Sequence, residues 1–317
     1  MTSEVIDSLT YWKQNIPTHS AIGKNLTMTV VKPIPTKRRF MHTTFGEIAF
    51  VESGEGDVAL FLHGFPLSGY QWRGAMTLLE NYRRCIALDF MGLGCSKPFR
   101  EQSLDPVSQA EMVVAFIDEH SIERVDVIAS NSGGQVAQLL IARHPDRVKS
   151  VLLANCDTEL ESPPVALLPI IDLAKSGLLA DQFVSFQLDD PNFARSPDGL
   201  GGIAYSDATH PTDEAIENYF RPLVQSQERK ELLHRFVIAL ERNPLISTCA
   251  MLNSFAGPAR IVWGLADKVF SVAGAMFLDK AFGNSKGVRW LEGRNLFWPE
   301  ELPEVIAHEA LRLWGEK

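Results

Sequence analysis

Short apolar runs rich in β-branched residues alternate with helical patterns along the chain after residue 38. Continuous apolar runs bounded by turn residues predict buried strands, and apolar residues spaced three and four apart predict amphipathic helices. The predicted strands cover 40–44, 48–53, 58–62, 84–88, 125–129, 148–154, 261–263 and 288–291, and the main predicted helices cover 109–120, 213–221, 228–240 and a closing stretch that ends at 314. This alternation is typical of an α/β protein with a mostly parallel sheet flanked by helices.

The alternation is interrupted once. Between residues 156 and 247 the chain carries no strong strand pattern, several prolines, a glycine-rich stretch at 199–202 and then helical patterns. We therefore predict an N-terminal arm at 1–37, a core formed by 38–155 and 248–317, and a separate helical segment at 156–247.

The predicted strand at 125–129 runs almost directly into a helical pattern through a turn of small residues. Written as small-x-nucleophile-x-Gly-Gly, the turn places Ala129 first, Asn131 at the apex, and Gly133 and Gly134 last. A strand, a sharp turn and a helix in this order form a nucleophile elbow, which presents one side chain above a parallel sheet. An alternative register places Ser132 at the apex, but it spoils the spacing of the helix glycines.

A second loop follows the predicted strand at 58–62 and reads His63-Gly-Phe65-Pro. A loop of this type supplies one backbone N–H of an oxyanion hole, and the residue after the apex supplies the other. We therefore predict that the N–H groups of Phe65 and Ser132 form this hole. His63 itself is expected to be structural.

Composition excludes several classes of partner. The net charge is −9 and no basic stripe is present, which argues against nucleic acid and anionic membranes as partners. The four cysteines show no C-x-x-C spacing, the N-terminus lacks a signal-peptide pattern and no apolar run could span a membrane, so we expect a cytoplasmic protein without a metal site. Gly92 and Gly94 lack the further residues of a dinucleotide loop, so no cofactor is expected. The oligomeric state is left open.

Four motifs together resemble the α/β-hydrolase superfamily, in particular its branch of haloalkane dehalogenases and epoxide hydrolases. They are the loop at 63–66, the turn from Asp89 to Ser96, the elbow, and the segment from Val262 to Asp267. The resemblance implies an α/β-hydrolase fold whose segment 156–247 forms a helical cap. It also implies that Asp267 is the acidic triad member and that Asn295 occupies the place of the catalytic histidine. Tyr205, Tyr219, Trp72 and Asp157 are its candidate substrate contacts.

Asparagine at both 131 and 295 is the most informative feature of the candidate site. Hydrolysis on this scaffold requires an activated nucleophile and a group that carries protons near neutral pH. An amide side chain forms hydrogen bonds but does not titrate. The halide-binding side chains of dehalogenases are also absent, because Phe65 and Ser132 stand in their places.

Three hypotheses follow for a small, largely apolar carbonyl or epoxide molecule as the ligand. The protein is an enzyme with non-hydrolytic chemistry, such as a lyase, an isomerase or a cyclase, in which the asparagines position the substrate. Alternatively, it is a conventional hydrolase that uses Ser132 or a deamidated Asn131. As a third alternative, it binds a small ligand without catalysis.

Overall fold

A nine-stranded sheet forms the centre of the protein in the computed structural model, which describes residues 38–316. Its strands are β1 Arg39–Thr43, β2 Gly46–Ser53, β3 Val58–Leu62, β4 Arg84–Leu88, β5 Lys97–Pro98, β6 Val125–Asn131, β7 Val148–Cys156, β8 Ala259–Gly264 and β9 Ser285–Leu291. The order is β1-β2-β4-β3-β6-β7-β8-β9, with β5 paired to β2. The pairs from β4 to β9 are parallel, whereas β1, β2 and β5 pair in antiparallel fashion. The predicted arm at 1–37 lies outside the described residues.

Helices cover both faces of this sheet. They are α1 Arg73–Leu79, α2 Pro106–Glu119, α3 Ser132–Arg143, α4 Leu168–Lys175, α5 Ser185–Asp189, α6 Pro191–Ala194, α7 Leu200–Ala204, α8 Asp213–Val224, α9 Gln227–Ala239, α10 Cys249–Ser254, α11 Val272–Ala281, α12 Trp298–Glu301 and α13 Pro303–Trp314. None of the helices within 38–316 combines the length and apolar character needed to cross a membrane. The predicted α/β architecture is confirmed.

The two faces of the sheet carry separate hydrophobic clusters. On β3, Leu60 and Leu62 join one cluster, and Ala59 and Phe61 join the other. The second cluster fills the space between the sheet, α1 and α13. Because successive side chains of a strand point to opposite faces, a strand that is covered on both sides is apolar throughout. This explains why the central strands are visible in the sequence as uninterrupted apolar runs.

Two element boundaries differ from the predicted ones for local reasons. Helix α2 begins at Pro106 rather than at 109, because the Asp105 side chain accepts the Ser108 N–H at 2.8 Å and caps the helix. Strand β9 begins at Ser285 rather than at 288, because the strand lies at the edge of the sheet, where polar residues are tolerated. An apolar pattern detects neither feature.

The chain between β7 and β8 contains helices α4 to α10 and one isolated bridge between Thr158 and Glu161. We call residues 157–247 the helical insertion. Strand β7 continues to Cys156, so the core extends one residue past the predicted boundary at 155.

A buried arginine fastens the helical insertion to the core. Arg229 on α9 is only 7% exposed. Its guanidinium donates to the carbonyl oxygens of Ser96, at 2.6 Å, and of Gly94 in the turn after β4. Its Nε donates to the carbonyl oxygen of Pro222 at 2.9 Å. Charged donors to several main-chain oxygens make a strong, directional attachment.

We predict that Arg229→Met lowers the free energy of unfolding by about 3 kcal/mol, because it leaves buried carbonyl groups without donors. Urea unfolding measures this loss. The matched control is Arg235→Met, on the same helix. Arg235 also donates to two carbonyl oxygens, those of Arg100 and Gln102, but it is exposed. The control should cost less than about 1 kcal/mol. Equal losses in both variants would show that Arg229 has no special anchoring role.

Candidate active site

Asn131 lies at the apex of a strained turn. It is the last residue of β6, it precedes α3, and its backbone has φ 54° and ψ −137°. A positive φ is uncommon for a residue other than glycine and is stabilised here by the surrounding structure. A Cβ on Gly133 would come within 2.4 Å of the Leu62 and His63 carbonyl oxygens. Glycine is therefore required where α3 begins.

The side chain of Asn131 is hydrogen-bonded to the two loops that form the turn. Its Oδ1 accepts the N–H of Ser132 at 2.6 Å, and its Nδ2 donates to the carbonyl oxygen of Phe65 at 2.9 Å. The N–H of Phe65 donates to the Ser132 hydroxyl oxygen at 3.2 Å. Both N–H groups that were predicted for an oxyanion hole therefore have side-chain partners from the elbow. A ligand oxygen must displace these partners to bind there.

Asp267 follows β8 and is held by an amide and by the main chain. Its Oδ2 accepts from Asn155 Nδ2 at 2.7 Å, and its Oδ1 accepts the N–H of Val269 at 2.7 Å. Burial raises the pKa of Asp267 to about 6, and these hydrogen bonds partly offset that shift. The acid thus lies at a strand end, as predicted, but its partner is the Asn155 amide.

Asn295 attaches the helical insertion to the core. Its Nδ2 donates to the carbonyl oxygens of Ile203, at 2.9 Å, and Tyr205, at 3.2 Å. Its Oδ1 accepts from the N–H groups of Leu296, at 2.9 Å, and Lys268, at 3.3 Å. An amide side chain has two donor hydrogens and two acceptor lone pairs, and all four are used. The expectation that Asn295 positions a substrate is therefore corrected, because this amide has no free donor or acceptor.

Histidine is missing from the region where a proton carrier is needed. The sequence has no histidine between His234 and His308. His308 is exposed on α13 beside Glu309. Burial lowers the pKa of His63 to about 4, and its Nε2 accepts the N–H of Phe90 at 3.0 Å, so it is a neutral structural group. Within residues 38–316, no histidine hydrogen-bonds to Asn131, Ser132 or Asp267.

Tyr205 and Tyr219 are bound to a buried carboxylate that the sequence did not indicate. Both hydroxyl groups donate to Glu300 Oε2, that of Tyr219 at 2.8 Å, and Arg73 pairs with Glu300 Oε1. Burial raises the pKa of both tyrosines well above its ordinary value. A tyrosine has one hydroxyl proton to donate. The predicted substrate contacts are therefore corrected: in this conformation both hydroxyls connect the insertion to Glu300.

The remaining two candidates lie in different surroundings. Trp72 is fully buried in the cluster between the sheet and α13, with its ring 5.7 Å from that of Phe61. Phe65 belongs to the cluster on the other face, so the predicted role of Trp72 as a substrate contact is corrected. Asp157 directly follows Cys156, whose Cα pairs with that of Asn131. Asp157 is therefore close to the elbow and buried.

Comparison with known proteins decides the family. A model of the alpha/beta hydrolase fold family matches residues 58–296. The chain belongs to this family. A cis-3-alkyl-4-alkyloxetan-2-one decarboxylase of Shewanella oneidensis is 24% identical over 291 residues, which cover 87% of this chain and 81% of that protein. A haloalkane dehalogenase of Agrobacterium fabrum is 34% identical over 123 residues, which cover 37% of this chain and 40% of that protein.

Solved structures show the same fold. An epoxide hydrolase superposes with a TM-score of 0.71 at 20% identity and covers 88% of this chain and 98% of its own. An alpha/beta hydrolase fold protein from Burkholderia ambifaria superposes with a TM-score of 0.74 at 18% identity, with 86% and 97% of the two chains covered. At this identity the likeness supports the alpha/beta hydrolase fold and no particular activity.

Two polar residues of this alpha/beta hydrolase fold protein, Gln135 and Glu300, were not predicted from the sequence. Gln135 stands three residues after Ser132 on α3, and this spacing, which places both on one helix face, was an available signal. Glu300 had no such signal, because its partners come from residues 73, 205 and 219.

The space beside the elbow is small. A cavity of about 10 Å³ is lined by Ser132, Gln135 and apolar side chains that include Phe90 and Phe236. This volume accommodates about one water molecule. A larger open cleft of about 380 Å³ lies at 118–123 and 146–147, where β6 and β7 begin, and therefore at the opposite strand ends from Asn131. Asn131 and Phe65 are not among the residues that line the small cavity, whereas Phe236 and Leu240 of the helical insertion are.

The buried Asp157 gives a testable dependence of stability on pH. Burial raises its pKa from 3.8 to about 7, and a hydrogen bond from Ser162 partly offsets the shift. Between pH 3.8 and about 7 the folded state binds more protons at Asp157 than the unfolded state does. The contribution of Asp157 to the free energy of unfolding is therefore fully present at low pH and is lost as the pH rises through about 7. The full effect is on the order of 4 kcal/mol.

We therefore predict that Asp157→Asn is more stable than the wild type at pH 8 and that the difference disappears toward pH 4. Urea unfolding across this range measures it. Asp146→Asn, at an exposed position, serves as the control and should follow the wild-type curve. If the difference in unfolding free energy between the wild type and Asp157→Asn did not change with pH, the assigned ionisation of Asp157 would be contradicted.

Proposed function

We propose that this alpha/beta hydrolase fold protein is an enzyme that opens or fragments a small, largely apolar carbonyl or epoxide molecule without adding water. The observation that carries the proposal is the amide of Asn131 at the apex of the elbow, to which no histidine of the described chain is hydrogen-bonded. An amide does not supply the anionic nucleophile that hydrolysis on this scaffold requires.

Such a site can still catalyse reactions that need neither a nucleophile nor an activated water molecule. In a lyase, isomerase or cyclisation step, bonds of the substrate rearrange while negative charge develops on an oxygen. Backbone N–H groups that point to this oxygen stabilise the charge. We propose that the substrate oxygen replaces the Asn131 and Ser132 side chains as the acceptor for the N–H groups of Ser132 and Phe65. The Asn131 amide then positions the substrate.

The similarity to a decarboxylase supports this chemical class. The Shewanella oneidensis relative is named for a cis-3-alkyl-4-alkyloxetan-2-one, which is a strained four-membered cyclic ester, and it aligns with 87% of this chain. Breaking the bond between the ring oxygen and C4 and the bond between C3 and the carbonyl carbon releases carbon dioxide and leaves an alkene between C3 and C4, and neither product takes up water. We propose a related cyclic ester or epoxide as the substrate of this chain.

We further propose that the helical insertion acts as a cap that excludes water from the elbow. Arg229, Asn295 and Glu300 attach it at separate points of the core. The small cavity of about 10 Å³ beside the elbow fits this role. No bound metal or cofactor has a part in the proposed chemistry. We place the enzyme in the cytoplasm.

Ligand binding without catalysis is the second candidate. The observation that favours it is that both oxyanion N–H groups already donate to side chains of the elbow. A site in this state gives no stabilisation until a ligand displaces those side chains.

One experiment separates the candidates. The protein is incubated in ¹⁸O-labelled water with a cis-3,4-dialkyl-oxetan-2-one, styrene oxide and p-nitrophenyl acetate, and the products are identified by mass spectrometry. The proposed chemistry predicts unlabelled alkene or isomer above the buffer background. Labelled acid or diol that disappears in Ser132→Ala or Asn131→Ala would instead establish hydrolysis. A ligand-dependent rise in Tm without any product would favour the binding protein. Asn192→Ala, at an exposed position, is the control.

A second prediction concerns the missing proton carrier. Asn131→Asp introduces a carboxylate at the apex, which can open styrene oxide to form a covalent ester. Because no histidine side chain in the described chain hydrogen-bonds to Asn131 or Ser132, the variant should accumulate this ester and not release diol. Intact-protein mass spectrometry should show up to one adduct per chain. Asn192→Asp should show none, and repeated turnover by Asn131→Asp would reveal an active base and contradict the prediction.

A further inference from the structure

The first part of the helical insertion is held by the rest of the insertion. Helix α4 packs on α9, and α5 and α6 pack on α8. Within residues 38–316, every side-chain hydrogen bond and ion pair that leaves the segment 168–198 ends on residues 200–241. Residues 200–241 are themselves fixed to the core through Arg229, Asn295 and Glu300. The insertion thus consists of a fixed layer and a segment that depends on this layer.

The polar bonds between this segment and α9 are few. Two of them are ion pairs of partly exposed side chains, Lys175–Glu241 and Asp181–Lys230. Exposed ion pairs contribute little to stability. The third bond differs in kind, because the ring of His234 on α9 accepts a main-chain N–H, that of Ala180, at 3.1 Å. His234 is therefore the most directional polar attachment of the segment to α9.

Ala180 lies where a helix begins. The π-helical turn Ala180–Val184 continues directly into α5, and its first residues have no side-chain cap of their own. The first N–H groups of a helix find no partner within it, so His234 Nε2 supplies the acceptor that Ala180 needs. A protonated imidazole has no acceptor nitrogen, and a positive charge is unfavourable at a helix N-terminus. Protonation of His234 therefore opposes this contact in two ways.

The surroundings of His234 keep its ring neutral. Burial lowers the pKa of His234 below its ordinary value, against the charges of Asp181 and Glu231, and Lys230 acts in the same direction as burial. The ring is only half-buried, so protons reach it from solvent without unfolding. The nearest charged groups of the neighbouring helices are paired among themselves, as Lys175–Glu241, Arg195–Asp213 and Arg221–Glu217.

We propose that His234 is a proton-operated latch: its neutral ring holds α4 and the helix that begins at Ala180 on α9, and its protonation releases them as a lid. Helix α9 stays in place, because Arg229 keeps it on the core. Through Phe236 and Leu240, α9 also lines the cavity beside the elbow. The inference rests on the proposed role of the insertion as a cap and specifies how this cap is regulated.

The direction of the effect follows from the proton balance. The lowered pKa belongs to the closed arrangement, so the open lid binds a proton at His234 more readily. Closure is fully favoured above the ordinary value of 6.5 and weakens as the pH falls below it. Asp157 acts in the opposite direction, because its raised pKa favours the folded state at low pH. A loss of protection at low pH is therefore not an effect of Asp157.

Hydrogen exchange followed by mass spectrometry tests the latch on the full chain at pH 7.5 and pH 5. Division by the intrinsic exchange rates at each pH gives protection factors. The protection of residues 171–188 should fall about tenfold at pH 5, whereas that of α3 should change less than about twofold. His234→Gln keeps an uncharged acceptor, so its lid should stay protected at both pH values. His234→Leu removes the acceptor and should leave the lid less protected at both.

His42→Gln, at an exposed position on β1, is the control and should follow the wild type. Circular dichroism and thermal unfolding show whether each variant is folded. The latch is overturned if the lid of the wild type shows no selective loss of protection at pH 5. A selective loss that persists in folded His234→Gln assigns the effect to another group.

Wild-type protection of the lid in folded His234→Leu at pH 7.5 also contradicts the latch, because the bond to Ala180 would then hold nothing in place. None of these measurements uses a ligand. A failure of non-hydrolytic turnover therefore leaves the latch standing, and a failed latch leaves the proposed chemistry standing.

Discussion

The close approach of β3, β6 and the start of α3 determines what the rest of the site can do. It requires a positive φ at Asn131. It also requires glycine at residues 64 and 133, because a Cβ on Gly64 would lie 2.4 Å from Asn131 Cβ and a Cβ on Gly133 would lie 2.4 Å from main-chain oxygens. This geometry holds whatever side chain stands at residue 131. Because that side chain is an amide, it donates and accepts at once and bonds to both sides of the turn. A turn that elsewhere in the family presents a nucleophile is here closed by hydrogen bonds.

Several other positions expected in catalysis or substrate binding form attachments within the structure. Asn295 donates both amide hydrogens to carbonyl oxygens of the helical insertion and accepts from two N–H groups of the core. Tyr205 and Tyr219, which lie on the insertion, donate to Glu300 of the core. Asp267 is bound by Asn155 in place of an imidazole. Neutral amides form directional bonds without the desolvation penalty of a buried charge. The result is a tightly fastened helical layer over a very small cavity.

The sequence predicted those features that depend on neighbouring residues. The apolar runs of β3 and β4 were located to the residue, and the spacing around Gly133 and Gly134 identified a strand, turn and helix. Side-chain partners that come from distant parts of the chain were not predictable. The Glu300 network joins four separate segments. Trp72 lies near the loop at 63–66 in sequence but packs in the cluster on the other face of the sheet from Phe65. Pattern and motif carry no information about such pairings.

The central claim is that the group at the apex of the elbow is a neutral amide and that any activity depends on this. Peptide mass spectrometry of the freshly purified protein, with the fraction of acid at residue 131 measured against activity, tests it most directly. The account predicts an intact Asn131 amide and an activity that does not rise as deamidation proceeds. An activity that scales with the fraction of aspartate at this position would show that a carboxylate nucleophile is the reacting group and would contradict the account.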